Sequence, residues 1–223
     1  MYTNHFQNRV QIEKAIFSKE LPQFKYNRTA NERFFKGIHK TSARGNRYEL
    51  KIVLEENYPD EMPRMYVSSP KTLWLHGNNR ISLNSEEFSH QYHTNSNSPE
   101  GYVQICHYNS ETWHAAKTCT AIAFKGIIWC EAFDTHLNTG LTIAQIIENW
   151  EKCQKENTGD LIRLFKNTPK INLSGLELPD SLFRNPRTKY SDILNFESEK
   201  ELFDLKKLAS ELKNHRFNTV LAK

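Results

Sequence analysis

Residues 101–113 contain one cysteine, Cys106, which stands between a short apolar run and a polar turn. Val103 and Ile105 precede it, and alternate side chains of an extended chain point to opposite sides. Cys106 is therefore predicted to point away from this apolar pair, toward the rim of the fold. A thiolate held there could act as a nucleophile, whereas a cysteine packed in a core is usually inert. The polar residues after Cys106 favour the reactive interpretation.

His107 places an imidazole directly after the cysteine. A cysteine acts as a nucleophile through its thiolate, and an ordinary cysteine is only a few per cent ionised at neutral pH. An adjacent cationic histidine would raise that fraction. Adjacent side chains of a strand diverge, so His107 could equally be a solvent-facing residue that does not touch the sulfur. Both roles remain open.

A papain-like hydrolase is one alternative, with His136 or His114 as the base for Cys106. Enzymes of that class usually begin their catalytic helix at the cysteine. Cys106 instead follows an extended approach and precedes a polar turn. The hydrolase interpretation is therefore disfavoured.

A zinc site is a second alternative, because histidine and cysteine are suitable zinc ligands. The candidate ligands are His90, His93, Cys106 and His107. Their spacing fits no common zinc pattern, and none of the four cysteines, at positions 106, 119, 130 and 153, forms a Cys-x-x-Cys pair. We predict no metal, no organic cofactor and no disulfide framework, and Cys119 and Cys130 are predicted to pack in the core.

Composition excludes several classes of protein. The chain has 223 residues, of which 38% are hydrophobic and 25% charged, as in soluble globular proteins. Its formal net charge of +4 is too small for a dedicated nucleic-acid binder, so no nucleic-acid partner is predicted. No apolar run approaches a membrane span, and no signal-peptide core is evident, so no membrane association is predicted. A reducing cytoplasm is the expected location.

The segments before Cys106 must position it, and they predict one helix followed by an antiparallel meander. Apolar residues recur at helical spacing over residues 6–21. Extended segments follow near residues 24–26 and at 33–39, 47–54 and 64–67. In residues 47–54 apolar and charged residues alternate, which predicts an antiparallel meander with one solvent-exposed face.

Two stretches between these strands and Cys106 are irregular. Pro59 and Pro63 exclude a helix and cannot sit in a central strand, so residues 55–63 are predicted to form a rigid loop that Tyr58 covers. Residues 68–100 carry little regular pattern, and long irregular stretches in compact domains are typically functional or mobile.

Helices are predicted after Cys106. Residues 115–138 carry apolar residues on most sides, which indicates a buried helix that ends at Gly140. A second helix is predicted from residue 142 to about 155, and a short one at 160–165. The sequence thus predicts an α+β domain over residues 1–165. Beyond Pro169 the helical pattern of apolar residues gives way to a loop-like stretch. Residues 166–223 are therefore predicted to be a C-terminal extension with an amphipathic helix at 197–213.

The order of these features resembles the ubiquitin-conjugating enzyme superfamily. That family has an N-terminal helix, a four-stranded antiparallel meander, a Tyr-Pro-x-x-x-Pro loop, a catalytic cysteine segment and a following tryptophan and helix. Tyr58-Pro-Asp-Glu-Met-Pro63, Gly101, Ile105-Cys106 and Trp113 stand here in that order. The resemblance covers roughly residues 6 to 155 and rests on order and spacing together.

The later motifs are similar to those of a bacterial conjugating-enzyme-like branch. They are Ile105-Cys-His-Tyr108, Trp113 and the segments at 126–133 and 136–140. That branch occurs in antiphage operons, including cyclic-oligonucleotide signalling (CBASS) and bacterial ubiquitin-like conjugation systems. The resemblance implies that Cys106 carries a modifier's C-terminal glycine as a thioester and passes it to an amine. The implied partner is a ubiquitin-like modifier or a nucleotidyltransferase C-terminus, with an activating enzyme possible.

The family's His-Pro-Asn motif is absent. His93-Thr-Asn95 lies 13 residues before the cysteine and His76-Gly-Asn78 lies 30 before it. Spacing favours His93 and Asn95, which by resemblance would have a structural role and an oxyanion-stabilising role. The family's leucine after the cysteine is His107 here, which adds this residue to the candidate site.

Two further interpretations stay open. Loss of the His-Pro-Asn motif allows a non-catalytic scaffold that binds a modifier or target through the same fold. Basic residues of the first helix and the meander are, by resemblance, a candidate docking face for an activating enzyme, and the alternative is an ordinary solvated surface. These residues are Arg9, Lys14, Lys19, Arg33, Lys36, Lys40, Arg44 and Arg47.

Overall fold

A computed structural model describes residues 4–77, 81–84, 90–95 and 101–150. In chain order the elements are α1 (Asn4–Glu20), β1 (Lys25–Arg28), β2 (Arg33–Lys40), β3 (Arg47–Leu54), β4 (Arg64–Ser69), β5 (Thr94–Asn95), β6 (Val103–Ile105), a 3-10 helix (Ser110–Thr112) and α2 (Cys119–Thr139). Residues 143–150 are also helical.

The strands form one six-stranded antiparallel sheet in the order β1-β2-β3-β4-β6-β5. The predicted N-terminal helix and four-stranded meander are confirmed. The sheet is larger than predicted, because the segment before Cys106 pairs with β4 as strand β6, and β5 pairs with the other edge of β6. The cysteine therefore follows a strand that lies inside the sheet.

Helix α2 packs against the sheet and is almost entirely buried. The two approach closely at Gly126, where an added Cβ would come within 2.6 Å of the Met65 sulfur and 3.0 Å of a Leu50 methyl carbon. The helix begins at Cys119, later than predicted, because the Thr118 side chain caps its first turn by accepting from the Ala121 N–H. It ends before Gly140, whose positive φ of 75° confirms the predicted glycine cap.

Two buried carboxylates tie α2 to the β2–β3 hairpin. Asp134 accepts hydrogen bonds from the Tyr48 hydroxyl at 2.6 Å and the Asn46 amide at 2.9 Å. Glu131 lies 2.7 Å from the His39 ring nitrogen. These contacts satisfy carboxylates that would otherwise be costly to bury, and they fix the helix along the sheet.

Helix α1 packs beside α2 and β1. Phe17 stacks on Phe24 and Phe35 with ring centroids 5.4 and 4.5 Å apart. No helix in the described ranges combines the length and apolar character that a membrane span requires. The predicted helices at 160–165 and 197–213, and the extension at 166–223, lie outside the described residues.

Candidate functional site

Cys106 lies directly after β6 and its side chain is exposed. Val103 and Ile105 of β6 are buried opposite Val67 and Met65 of β4, so they anchor the strand in the core. The predicted orientation is confirmed: the apolar pair points inward and the thiol that follows is at the surface.

Strand β5 brings Asn95 alongside this strand. Thr94 lies opposite Ile105, and Asn95 lies opposite Gln104. Thr94 is buried with Ile105 on the core side, so Asn95, which is exposed, shares the outer face with Gln104. Cys106 is two residues beyond Gln104, which makes Asn95 its diagonal neighbour across the β5–β6 pair. Residues in this relation in an antiparallel pair have backbones roughly 7–8 Å apart and Cβ atoms somewhat closer.

His93 contacts Cys106 through its backbone. The Cys106 N–H donates to the His93 carbonyl at 2.8 Å, which continues the β5–β6 ladder by one rung. His93 has a positive φ of 49°, so the alternation of side chains along β5 does not extend to its half-buried ring. The structure thus brings His93 and Asn95 to the cysteine strand.

The other histidine considered, His76, lies at the C-terminal end of α2. Its backbone N–H donates to His136 Nε2 at 3.0 Å, and its ring Nδ1 is 3.0 Å from the Leu137 carbonyl. Asn78 lies outside the described residues. His76 therefore belongs to the contacts that hold the irregular segment against α2.

His107 is buried and turns into the protein. Its Nε2 lies 2.9 Å from the Pro63 carbonyl oxygen. A carbonyl can only accept, so Nε2 carries the proton. Burial lowers the pKa of His107 to about 4, against the opposing hydrogen bond to Pro63 and with help from the positive charge of Lys125. The ring is therefore neutral at pH 7 and supplies no positive charge to Cys106. The interpretation of His107 as a solvent-facing residue is wrong.

The lowered pKa of His107 predicts a stability loss in acid. The unfolded chain takes up this proton near pH 6.5 and the folded chain only near pH 4. The free energy of unfolding therefore does not depend on this histidine's protonation above pH 6.5, and it falls by about 3 kcal/mol as the pH falls from 6.5 toward 4. His107→Gln should flatten the pH dependence of unfolding by this amount, measured by urea titration at pH 4 to 7. Parallel curves for both proteins would contradict the assignment.

A second contact fixes the cysteine loop. The Trp113 indole N–H donates to the Pro59 carbonyl at 2.9 Å. Tyr108 is buried, and its ring centroid lies 5.9 Å from that of Trp113, 3.4 Å from the Lys125 ammonium and 4.1 Å from the Lys117 ammonium. The segment after Cys106 therefore rests on the proline loop of residues 55–63 and on the start of α2.

The proline loop is itself held by a buried ionic cluster that the sequence did not predict. Glu13 accepts from the Tyr58 hydroxyl at 2.6 Å, from Arg9 at 2.9 Å and from the Cys119 backbone N–H at 3.0 Å. Burial opposes the charge of Arg9 and is the largest single influence on its pKa, but Glu13 and Tyr58 with Cys119 together outweigh burial, so the pKa of Arg9 is raised. Arg9 also donates to the Lys117 carbonyl at 2.6 Å.

Arg9 is consequently not part of an exposed basic face. It is only 6% exposed, whereas the other seven basic residues predicted for that face are at least partly exposed. The positive charge of Arg9 alone does not distinguish it from the other seven basic residues. The signal that could have revealed it is the spacing of Arg9 and Glu13, four residues apart on one helical face.

The two other cysteines in the described ranges are fully buried, as predicted. Burial raises the pKa of the Cys119 thiol, and the Glu13 carboxylate adds to this shift. Burial likewise raises the pKa of Cys130, next to Glu131 and Asp134. Both thiols are held protonated and away from solvent, so Cys106 is the accessible nucleophile among the described cysteines.

The alternative chemistries find little support in this geometry. Both ring nitrogens of His136 are engaged, with Leu141 O at 2.7 Å and the His76 N–H at 3.0 Å, so it is not available as a base for Cys106. His114 is exposed, and Cys106 starts no helix. Within the described ranges, no three His, Cys, Asp or Glu side chains are grouped so that they could hold a metal ion.

Comparison with known proteins returned no match to a family, a curated sequence or a solved structure.

Proposed function

We propose that this protein is an acyl carrier that holds a carboxyl group as a thioester on Cys106 and transfers it to an amine. The observation that carries this proposal is the exposure of the Cys106 thiol at the end of a buried strand, while Cys119 and Cys130 are sealed in the core. A thiol fixed on a rigid strand and open to solvent suits attack on a bulky activated carboxylate.

The reaction has two steps, in which one acyl group passes first to the Cys106 sulfur and then to an amine nitrogen. The Cys106 thiolate attacks an activated carboxyl carbon, a C–S bond forms and the leaving group departs with its electron pair. An acceptor amine then attacks the thioester carbon, the C–N bond forms, and the C–S bond breaks. The amine proton goes to solvent, and the thiolate is regenerated.

Asn95 is the proposed stabiliser of the oxyanion formed in both steps. The register of β5 and β6 makes Asn95 a diagonal neighbour of Cys106 on the outer face, and we propose that its amide reaches the thioester oxygen, two bonds from the sulfur. Asn95→Ala is expected to slow acyl transfer by about 10²-fold, which corresponds to about 3 kcal/mol. Gln104→Ala, on the same face, should stay within about threefold of wild type. Equal rates for Asn95→Ala and wild type, measured by aminolysis of the loaded protein, would remove Asn95 from the mechanism.

We further propose that the chain is a ubiquitin-conjugating-enzyme-like protein of the bacterial antiphage branch. Support comes from the order of α1, the antiparallel meander, the Tyr58–Pro63 loop, the cysteine strand, Trp113 and α2. The acyl donor would then be the C-terminus of a ubiquitin-like modifier or a nucleotidyltransferase. The missing His-Pro-Asn motif, and His107 in place of the family's leucine, distinguish this chain from the family pattern.

An activating enzyme would dock on the exposed basic residues of α1 and the meander. Arg9 is excluded by its burial. The remaining candidates are Lys14, Lys19, Arg33, Lys36, Lys40, Arg44 and Arg47.

A non-catalytic scaffold is the second candidate function, and the position of His107 favours it. The only histidine adjacent in sequence to Cys106 is neutral and bonded to Pro63, so it neither activates the thiol nor accepts its proton. A scaffold would bind the modifier without forming a covalent bond to it.

The proposed function can be tested without a known modifier. A glycine-terminated peptide thioester is mixed with the full chain, and the acyl-protein is isolated and exposed to free lysine. The expected results are one acyl adduct on Cys106 and aminolysis faster than that of the same peptide on glutathione. A scaffold would show no adduct or aminolysis no faster than glutathione.

A further inference from the structure

Two hydrogen bonds connect the cysteine loop to the proline loop. His107 Nε2 donates to the Pro63 carbonyl at 2.9 Å, and Trp113 Nε1 donates to the Pro59 carbonyl at 2.9 Å. Both acceptors are backbone carbonyls of one loop, and both donors are rings on either side of residues 108–112. The cysteine loop is therefore fastened at two points, one of them immediately after Cys106.

The histidine contact is not explained by packing alone. His107 is buried, and its Nδ1 has no hydrogen-bond partner in the part of the chain that the structure describes. A leucine would fill a buried apolar space without leaving a nitrogen unsatisfied. What the imidazole adds is one directional bond, from Nε2 to Pro63.

The backbone of Cys106 is thus fixed on both sides. On the N-terminal side, the Cys106 N–H donates to the His93 carbonyl at 2.8 Å. On the C-terminal side, the ring of His107 is hydrogen-bonded to the Pro63 carbonyl. Because consecutive side chains of an extended chain point in opposite directions, holding His107 inward holds Cys106 outward.

We propose that His107 is a positioning residue: its bond to Pro63 fixes the direction of the Cys106 side chain and thereby places a thioester carbonyl beside Asn95. It transfers no proton in the reaction, because its Nε2 hydrogen is already given to Pro63. The effect on transfer rests on the proposed function, whereas the effect on the mobility of residue 106 does not. Misplacement of a reacting group by about 1 Å can cost up to 10²-fold in rate.

The experiment compares three variants of the full chain. His107→Leu removes the donor, and His107→Gln keeps an amide N–H that can reach the Pro63 oxygen. His114→Leu is the matched control, since His114 is an exposed histidine of the same region. If His107→Leu does not fold, His107→Asn replaces it, because its shorter amide does not reach Pro63. All proteins carry Cys153→Ser, so that a nitroxide reagent under native conditions reports on Cys106.

Two readouts are recorded: nitroxide mobility at Cys106 by electron paramagnetic resonance, and aminolysis of the peptide thioester by free lysine. His107→Leu should give a more mobile nitroxide and aminolysis slower by about tenfold. His107→Gln and His114→Leu should match the parent protein. Unchanged mobility in His107→Leu would overturn the proposal, as would slower aminolysis that His107→Gln fails to rescue. If the parent protein forms no adduct, the proposed function fails, and the mobility measurement still decides the role of His107.

Discussion

In a chain that carries Cys153→Ser, Cys106→Ala is expected to abolish covalent acyl loading, and Cys106→Ser to convert the adduct into an oxygen ester. The alanine variant has no nucleophile at the end of β6, and Cys119 and Cys130 are buried and protonated. A serine oxygen forms an ester that thiols do not cleave readily, in contrast to the thioester of wild type. Intact-protein mass spectrometry before and after addition of a thiol distinguishes the three outcomes.

Ser110→Ala is the control for this prediction, because Ser110 is an exposed residue of the same loop. It should load as wild type does. Retention of the adduct in Cys106→Ala would move the acyl site to another residue, and the proposed carrier role of Cys106 would be lost.

Glu13→Gln is expected to produce the largest loss of stability. Glu13 is fully buried and accepts from Arg9, Tyr58 and the Cys119 backbone N–H. The glutamine leaves the buried Arg9 charge without its counter-ion. Removal of one partner from a buried ion pair costs about 3–5 kcal/mol. The free energy of unfolding, measured by urea titration with tryptophan fluorescence, should fall by this amount.

Glu56→Gln is the matched control, since Glu56 is exposed and lies in the proline loop. Its free energy of unfolding should change by less than about 0.5 kcal/mol. A loss below about 1 kcal/mol in Glu13→Gln would mean that the Arg9–Glu13 pair is solvated in solution, contrary to the buried cluster described here.

The sequence predicted those features that depend on local periodicity. Apolar alternation located β3, helical spacing located α1, and Gly140 marked the end of α2. The exposure of Cys106 followed from the same period of two that buried Val103 and Ile105.

Features that depend on distant contacts were not predicted. Strand β5 has only two residues in a polar stretch, so no alternation marks it, and its existence depends on pairing with β6. A helical glutamate such as Glu13 normally faces solvent, and its burial depends on Tyr58 and Cys119, which are 45 and 106 residues away. The inward direction of His107 likewise depends on the Pro63 carbonyl, 44 residues away.

Cys106, which directly follows β6, is the accessible thiol among the cysteines that the structure describes. Brief alkylation of the native Cys153→Ser protein with iodoacetamide, followed by peptide mass spectrometry, tests this accessibility most directly. We expect rapid labelling of Cys106, with Cys119 and Cys130 labelled only after denaturation. An unlabelled Cys106, or labelling of all three cysteines at similar rates in the native protein, would contradict it.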